Sequence, residues 1–282
     1  GVKTWNDADN QDGLRPASIK VNLVVNGEVK QSKTVTKDDN WSWTFDNLDK
    51  YANGQEIEYT VTEDVVEYYT TTVDGYNIKN THVPETVEVS GTKTWSDADN
   101  QDGLRPTSIK VNLFADGVKI DSKVVTEKDG WNYSFNNLPK FKAGKEIVYT
   151  VTEDEIEGYS TVINGYDIIN SYTPGKTSRT VTKLWDDEND QDGIRPESIK
   201  VQLTANGVNY EESVTLNEAN NWTYTWGELP EKENGQLINY RVEEIGTIIG
   251  YTTTYTNNDN ALTIKNTHTP EKTSVSGVKT WN

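Results

Sequence analysis

The stretch GTKTWSDADNQDGLRP, residues 91–106, decides the fold because closely similar copies of it lie on either side along the chain. GVKTWNDADNQDGLRP occupies residues 1–16, and VTKLWDDENDQDGIRP occupies residues 181–196. A sequence that returns at a spacing of about 90 residues is typical of an array of similar domains. The chain of 282 residues therefore predicts three domains in tandem.

Two further landmarks follow the opening motif in each copy. The first reads YTVTED at 59–64 and at 149–154, and YRVEEI at 240–245. The second reads IKNTHVP, IINSYTP and IKNTHTP, and ends at Pro84, Pro174 and Pro270. We therefore expect domains at 1–84, 85–174 and 175–271, with 272–282 as a linker or the start of a further repeat. The return of GVKTWN at 277–282 indicates a piece of a longer secreted chain.

Apolar residues alternate with polar ones inside each copy, as in the run Ile19, Val21, Leu23 and Val25. Gly-containing turns such as Asn26-Gly27 separate these runs. Alternation with a period of two predicts half-buried strands, and short strands with regular turn signals are typical of β-sandwiches. The sequence therefore predicts an all-β chain of tandem β-sandwich domains.

Charge and composition exclude several classes of function. The formal net charge of -18 disfavours nucleic acid and anionic lipid as partners, since both repel an acidic surface. Cysteine is absent, which excludes disulfides, thiolate metal sites and thiol nucleophiles. No apolar run approaches the length of a membrane span. We expect no cofactor and no metal ion.

Strand parity places polar residues on the apolar face, because side chains alternate across a strand. In the second copy Lys93 has the parity of Val89, Glu153 has that of Val151, and Asn170 follows the same pattern. The full inward set is Lys3, Glu63 and Asn80 in the first copy, Lys93, Glu153 and Asn170 in the second, and Lys183, Glu244 and Asn266 in the third. Lysine precedes glutamate by 60, 60 and 61 residues and asparagine by 77, 77 and 83.

An amine, a carboxyl and a carboxamide buried together can react. Burial lowers the pKa of a lysine and raises that of a glutamate, which favours a neutral, nucleophilic amine beside a carboxylic acid. Contact gives the amine and the carboxamide a high effective molarity. The product is a Lys–Asn amide with loss of ammonia, the glutamate acting as general acid and base. The alternative is that each lysine lays its aliphatic part along a sheet edge and keeps its charged end in solvent.

The three motifs together resemble the Cna B-type (CnaB) domain family of Gram-positive surface adhesins and pilins. Lysine lies in a KTW strand, glutamate in YxVxE, and asparagine in an IxNTHTP-type strand, and WxDxxNQDGxRP is similar to collagen-adhesin B repeats. The resemblance implies a reverse-immunoglobulin-like sandwich with one intramolecular isopeptide bond per domain. The implied pairs, with their promoting glutamates, are Lys3–Asn80 with Glu63, Lys93–Asn170 with Glu153, and Lys183–Asn266 with Glu244. In the third copy Glu243 competes with Glu244, which parity favours.

The resemblance also implies a function. We expect an extracellular stalk or spacer of a cell-surface adhesin, anchored to the cell wall through regions outside this chain. It is expected to be a monomer whose partners are neighbouring domains of the same protein, with any host ligand bound by domains elsewhere. Because bond formation is self-directed and occurs once, the chain is not an enzyme. Lys279 has no glutamate or asparagine partner after it and is expected to stay a free amine.

Two other functions stay open. Exposed aromatic residues or loops could bind a host protein or glycan directly, which would make the chain an adhesive module. The acidic stretch at 7–13 could bind calcium weakly and stiffen a rod without isopeptide bonds, although its glycine follows Asp12, Asn10 and Ala8 rather than three oxygen ligands.

Overall fold

A computed structural model describes residues 1–258 and 261–281. Apart from 3-10 turns, the regular structure of these residues consists of β-strands. The strands of the first repeat are β1 (Lys3–Asn6), β2 (Ser18–Val25), β3 (Glu28–Thr36), β4 (Tyr51–Ala52), β5 (Gln55–Glu56), β6 (Thr60–Glu63), β7 (Thr70–Asp74) and β8 (Asn77–Thr81).

The other two repeats have corresponding strands. Those of the second are β9 (Thr86–Ser96), β10 (Ser108–Ala115), β11 (Val118–Thr126), β12 (Asn132–Pro139), β13 (Phe141–Lys142), β14 (Lys145–Glu146), β15 (Tyr149–Glu153), β16 (Ser160–Asn164) and β17 (Asp167–Ser171). Those of the third are β18 (Lys176–Asp186), β19 (Ser198–Ala205), β20 (Val208–Asn217), β21 (Thr223–Pro230), β22 (Lys232–Glu233), β23 (Gln236–Leu237), β24 (Tyr240–Glu244), β25 (Thr252–Asn257) and β26 (Ala261–Thr267).

Each repeat contains the same pair of sheets. One sheet has the order β3-β2-β6 in the first repeat, β11-β10-β15 in the second and β20-β19-β24 in the third. The other has the order β1-β8-β7, β12-β9-β17-β16 and β21-β18-β26-β25. In the second sheet the first and last long strands of a repeat are neighbours, and β1 with β8 and β18 with β26 run parallel.

Side chains from both sheets form the core of a repeat. In the first repeat, Ile19 and Val21 of β2 and Val61 of β6 pack in one cluster with Ile78 of β8. In the third repeat the corresponding cluster includes Val201 of β19. The alternation read from the sequence thus places one face of each sheet in a shared interior, and the predicted all-β fold is confirmed.

Turns with left-handed backbone follow β3 and its counterparts, β11 and β20. The 3-10 turns at Lys37–Asp39, Glu127–Asp129 and Glu218–Asn220 each end in a left-handed residue, Asn40, Gly130 or Asn221. The following Trp41 also has a positive φ of 56°, so the apolar alternation of Trp41, Trp43 and Phe45 in the sequence does not form a continuous strand here.

The chain divides into two compact units, and the division crosses the second repeat. The first unit comprises 1–94, 107–155 and 161–169, and the second comprises 95–106, 156–160 and the chain from 170 onward. The first unit contains the sheets of the first repeat and most of the strands of the second. The second unit contains the sheets of the third repeat.

Candidate functional site

Lysine and asparagine lie on adjacent parallel strands. In the first repeat Lys3 of β1 is aligned with Ile78 of β8, and Trp5 with Asn80. In the third repeat the pairing of β18 with β26 has the same register, two residues between the lysine and the partner of the asparagine. Residues two apart on a strand share a face, so each lysine and asparagine point to the same side of the sheet.

The glutamate comes from the facing sheet. Glu63 is the last residue of β6 and is aligned with Val21 of β2, whose side chain is fully buried. Glu153 and Glu244 end β15 and β24 in the same register, as partners of buried valines. The ladder therefore carries the carboxyl into the interior between the two sheets.

The first repeat contains a buried lysine–glutamate pair. Lys3 Nζ lies 2.6 Å from Glu63 Oε1, and both side chains are 0% exposed. Asn80 is also completely buried, and neither its Nδ2 nor its Oδ1 has a hydrogen-bond partner among the residues that the structure describes. An unsatisfied buried carboxamide is costly, which marks Asn80 as a group whose burial needs an explanation.

The second repeat has the same groups in the interior. Lys93 Nζ lies 3.3 Å from Glu153 Oε1, with both side chains 1% exposed or less. Asn170 is completely buried.

In the third repeat one carboxyl contacts both other groups. Glu244 Oε2 lies 2.7 Å from Lys183 Nζ, and Glu244 Oε1 accepts a hydrogen bond of 3.1 Å from Asn266 Nδ2. The side chains of Lys183 and Glu244 are 0% and 2% exposed, and Asn266 is fully buried. The competing Glu243 is exposed. The carboxyl can therefore exchange protons with the amine on one side and the carboxamide on the other.

Burial is the main influence on the lysines. Desolvation lowers the pKa of Lys3 and of Lys183, although hydrogen bonds and charge from Glu63 and Glu244 oppose the shift. Aromatic rings add to the enclosure, since Lys3 Nζ lies 4.6 Å from the Trp5 ring and Lys183 Nζ lies 4.4 Å from the Trp185 ring. A lowered lysine pKa increases the fraction of amine that can act as a nucleophile.

Threonine hydroxyls bind the second oxygen of two of the carboxyls, a contact that the sequence analysis missed. Thr71 Oγ1 donates to Glu63 Oε2 at 3.0 Å, and Thr161 Oγ1 donates to Glu153 Oε2 at 3.2 Å. Thr71 lies opposite Asn80 in the pairing of β7 with β8. A threonine lies nine residues before the asparagine in the first and second repeats, and the pairing of β7 with β8 brings the two residues opposite each other.

The acidic stretch after β1 forms an ion-pair cluster, which the sequence analysis also missed. Asp7 accepts two hydrogen bonds from Arg15, of 3.0 and 2.7 Å, and one of 2.8 Å from Tyr69. The Arg15 guanidinium lies 5.6 Å from the Trp5 ring. Corresponding clusters are Asp97, Arg105 and Tyr159, and Asp187, Arg195 and Tyr251. Asp7 is thus engaged by protein groups, and calcium binding at this stretch stays an untested hypothesis.

Lys279 lies apart from these sites. It is exposed, and its Nζ lies 3.3 Å from the ring of Trp281. Its expected state as a free amine stays a prediction. Within 1–258 and 261–281 no helix is long and apolar enough to cross a membrane.

Comparison with known proteins identifies the repeats. The family described as Cna protein B-type domain matches residues 1–81, 89–171 and 179–267. The chain is 48% identical over 289 residues to the collagen adhesin of Staphylococcus aureus, an alignment that covers 100% of this chain. It spans 24% of the length of that adhesin.

A solved structure agrees with the sequence comparison. The crystal structure of two B repeat units of the collagen binding protein of Staphylococcus aureus is similar with a TM-score of 0.58 and 47% identity. The similarity covers 95% of this chain and 74% of that one. The resemblance inferred from the motifs is therefore confirmed: the chain belongs to the Cna protein B-type domain family and contains three copies of the domain.

Proposed function

We propose that the chain is a spacer in the stalk of an extracellular surface adhesin, and that each of its three domains is locked by an intramolecular isopeptide bond. The bonds join Lys3 to Asn80, Lys93 to Asn170 and Lys183 to Asn266 (promoted by Glu63, Glu153 and Glu244). The domain boundaries are those of the sequence repeats, at 1–84, 85–174 and 175–271. The chain acts on no external substrate, since each domain reacts once with itself.

The contact of Glu244 with both reacting groups carries this proposal. A carboxyl between an amine and a carboxamide, at 2.7 and 3.1 Å in a site closed to solvent, is the arrangement that proton transfer between them requires. A purely structural role would satisfy the charges of Lys183 and Glu244 but would not call for a fully buried Asn266 bonded to the same carboxyl.

The bond forms by acyl transfer from nitrogen to nitrogen. Glu244 takes a proton from Lys183 Nζ, and the neutral amine attacks Asn266 Cγ. The carboxylic acid gives that proton to Asn266 Nδ2, and the resulting carboxylate takes a second proton from the attacking nitrogen. The Cγ–Nδ2 bond then breaks, so that ammonia leaves and the new amide keeps one N–H. The amine and carboxamide become an amide and ammonia, so no oxidant, reductant or cofactor is consumed. Burial supports each step, because it lowers the lysine pKa and excludes water that would compete for the carbonyl.

The spacer role rests on the repeated architecture and on the relatives. Three similar domains follow one another along the chain, which is the repetition that a spacer needs. The relative that the chain resembles is an adhesin by name, and the chain covers only a part of it. We therefore assign attachment to the cell wall and binding of any host ligand to regions outside this chain, and we propose that the chain itself is monomeric.

Intact mass spectrometry of the purified chain tests the proposal. Three bonds reduce the mass by three ammonia molecules relative to the sequence, and peptide mapping places each loss on its lysine–asparagine pair. Glu244→Gln removes the carboxyl with little change of shape and should restore one ammonia mass, located in the third repeat.

Glu243→Gln is the matched control, because Glu243 is the exposed neighbour on the same strand and should leave all three losses in place. Circular dichroism checks that both variants keep their β-structure. A wild-type mass equal to that of the sequence would overturn the proposal, as would a full set of losses in Glu244→Gln.

A further inference from the structure

Both ring nitrogens of His82 face hydrogen-bond acceptors. Nδ1 lies 3.0 Å from the backbone oxygen of Tyr68, and Nε2 lies 2.8 Å from Asp12 Oδ2. A neutral imidazole has one donor and one acceptor nitrogen, so it can satisfy one of these oxygens at a time. The imidazolium has two donors and satisfies both. The side chains of His82 and Asp12 are 12% and 3% exposed, which makes an unmatched contact costly.

His268 repeats this arrangement in the third repeat. Its Nδ1 lies 2.7 Å from the backbone oxygen of Gly250, and its Nε2 lies 2.9 Å from Asp192 Oδ2. These are the two histidines of the chain, and each follows its repeat's asparagine by two residues. Because the same double contact occurs in both repeats, it is a recurring feature of the fold and not a peculiarity of one loop.

The aspartate also holds the segment that leaves the repeat. Asp12 Oδ2 accepts a hydrogen bond of 2.8 Å from the backbone nitrogen of Glu85, directly before the first strand of the second repeat. The adjacent Gln11 oxygen accepts a bond of 3.0 Å from the nitrogen of Gly144, in the β13–β14 hairpin of that repeat. His82 therefore stabilises the carboxylate to which the junction between the first and second repeats is attached.

The second repeat has a tyrosine at the corresponding position. Tyr172 donates its hydroxyl to Asp102 Oδ2 at 2.8 Å, and the backbone nitrogen of Gly175 lies 3.2 Å from the same oxygen. The pKa of Tyr172 is raised, chiefly by its hydrogen bond to Asp102, so this contact does not change protonation near neutral pH. The chain thus contains one version of the junction that can titrate near neutrality and one that cannot.

The charged groups around His82 favour its protonated form. Asp12 and Asp7 face it from the acidic loop, and the Tyr69 ring packs against it at 5.5 Å. On the linker side, the Glu85 carboxylate is paired with Lys140 at 2.7 Å and does not face the ring alone. The hydrogen bond to Asp12 is the largest of the influences that raise the His82 pKa, and burial opposes it.

Corresponding groups surround His268. Asp192 and Asp187 lie on its carboxylate side, and Lys272 is near Asp192. The Tyr251 ring packs at 5.4 Å. The pKa of His268 is raised, chiefly by the hydrogen bond to Asp192.

We propose that the His82–Asp12 contact is a proton-dependent latch on the junction between the first and second repeats, and that the His268–Asp192 contact is the same latch at the end of the third. The proposal is independent of the isopeptide bonds, because none of the latch residues belongs to their sites. A folded-state pKa above the unfolded value means that the latch is fully formed below about pH 6.5 and is lost as the pH rises through the folded value.

Titration of the two imidazole rings by NMR in the intact chain is the first test. Both rings should titrate above about 6.5, and Asp12→Asn should lower the His82 value while leaving that of His268 unchanged. Ring pKa values at or below 6.5 in the wild type would overturn the proposal.

Amide hydrogen exchange tests what the latch holds. After correction for intrinsic exchange, the protection of the Glu85 amide should fall roughly tenfold between pH 6 and pH 9. A change of this size is expected when Asp12, the acceptor of that amide, loses its charge-assisted hydrogen bond from the His82 imidazolium. The Gly175 amide, held by Asp102 beside Tyr172, is the internal control and should keep its protection. A similar fall at both amides would contradict the latch.

Exchange of the two residue types makes the test reciprocal. His82→Tyr should make Glu85 protection independent of pH, and Tyr172→His should make Gly175 protection dependent on it. Both variants place a side chain that the chain already uses at the corresponding position, so folding is expected to be preserved. Retained pH dependence in His82→Tyr would overturn the assignment.

Discussion

At the scale of single residues, the threonines that contact the buried carboxyls position the groups that take part in the proposed reaction. Glu63 uses one oxygen for Lys3 and the other for Thr71, whereas Glu244 uses its two oxygens for Lys183 and Asn266. A hydroxyl that donates to one carboxyl oxygen fixes the plane of the group and directs the proton to the other oxygen. Thr71 is thus a positioning residue for the proposed reaction.

We expect Thr71→Val to slow bond formation in the first repeat about tenfold, the effect of losing one hydrogen bond to a charged group. The full chain is isolated unfolded, refolded at a series of pH values, and followed by peptide mapping of each pair. Thr71→Ser keeps the hydroxyl and should restore the rate, while the second repeat provides the reference in each sample. Equal rates for valine and threonine at all pH values would show that the hydroxyl has no such role.

The sequence predicted which residues enter the interior but not what they touch there. Lys93 was assigned to the core face from its parity with Val89, and the side chain is indeed buried. Parity fixes the face of a sheet, whereas the contact of Tyr69 with Asp7 joins residues 62 positions apart and depends on the strand order β1-β8-β7. Tertiary distances of this kind are not encoded in a local pattern.

At the scale of elements, the acidic loop after β1 is held together by its carboxylate. Burial disfavours the charge of Asp7, but hydrogen bonds from Arg15, Tyr69 and the Asn10 backbone outweigh it and lower the Asp7 pKa to about 2. The corresponding pKa of Asp97 is also lowered to about 2, with the bond from Arg105 as its largest cause. The loop therefore depends on an ionised aspartate in a site that is almost closed to water.

The lowered pKa of Asp7 predicts that the fold loses stability in acid. A carboxyl whose folded pKa is below its unfolded value stabilises the fold above about pH 4, and the contribution disappears as the pH falls toward 2. We expect about 2 kcal/mol of unfolding free energy from Asp7 at neutral pH. Denaturant unfolding of the wild type and of Asp7→Asn at pH 7 and pH 1.5 measures it, since the lower pH lies below the folded pKa of Asp7. The variant should be less stable at pH 7 and close to the wild type at pH 1.5; an equal deficit at both would contradict the ionic explanation.

The binding partners of the aspartates in this loop could not be predicted from the sequence. Aspartates spaced along a turn with a glycine suggested a weak calcium site, and the protein instead uses Asp7 for arginine and tyrosine and Asp12 for histidine and a backbone nitrogen. Metal and protein donors compete for the same oxygens, and a loop motif does not say which partner is within reach. The recurrence of Arg15, Arg105 and Arg195 eight residues after each aspartate was the available indication.

At the scale of the whole molecule, the fold class and the number of repeats could be predicted because repetition supplies independent copies of the same weak signals. The alternation of Val87, Val89 and Lys93 predicted strand β9 correctly. The left-handed backbone at Trp41 could not be predicted, because no glycine or other distinctive residue occupies that position. Sequence repeats also could not predict that the compact units divide within the second repeat.

Mechanical extension is the whole-molecule prediction of the proposed function. With its bond in place, a domain transmits tension from the lysine strand directly to the asparagine strand and does not lengthen. Single-molecule pulling of the full chain should therefore show no unfolding steps in the wild type. Asn266→Ala should add one step of roughly 280 Å, the contour of the 83 residues between Lys183 and position 266.

A matched variant distinguishes the bond from ordinary stability. Lys265→Ala removes the half-exposed neighbour of Asn266 on the same strand, whose Nζ pairs with Asp186 at 2.7 Å, and should leave the trace without steps. Full-length extension steps in the wild type, or their absence in Asn266→Ala, would count against a covalent route for the load.

Gly13 and Gly144 approach each other so closely that Gly13 has no room for a side chain. A β-carbon on Gly13 would lie 2.5 Å from the Gly144 Cα, and one on Gly103 would lie 2.7 Å from that of Gly235. Gly54 and Gly193 occupy the corresponding positions in sequence, and a β-carbon there would meet nothing within 4 Å. Substitution of Gly13 or Gly103 would therefore force the neighbouring hairpin away, whereas the same substitution at Gly193 would cost only the strain of its left-handed backbone.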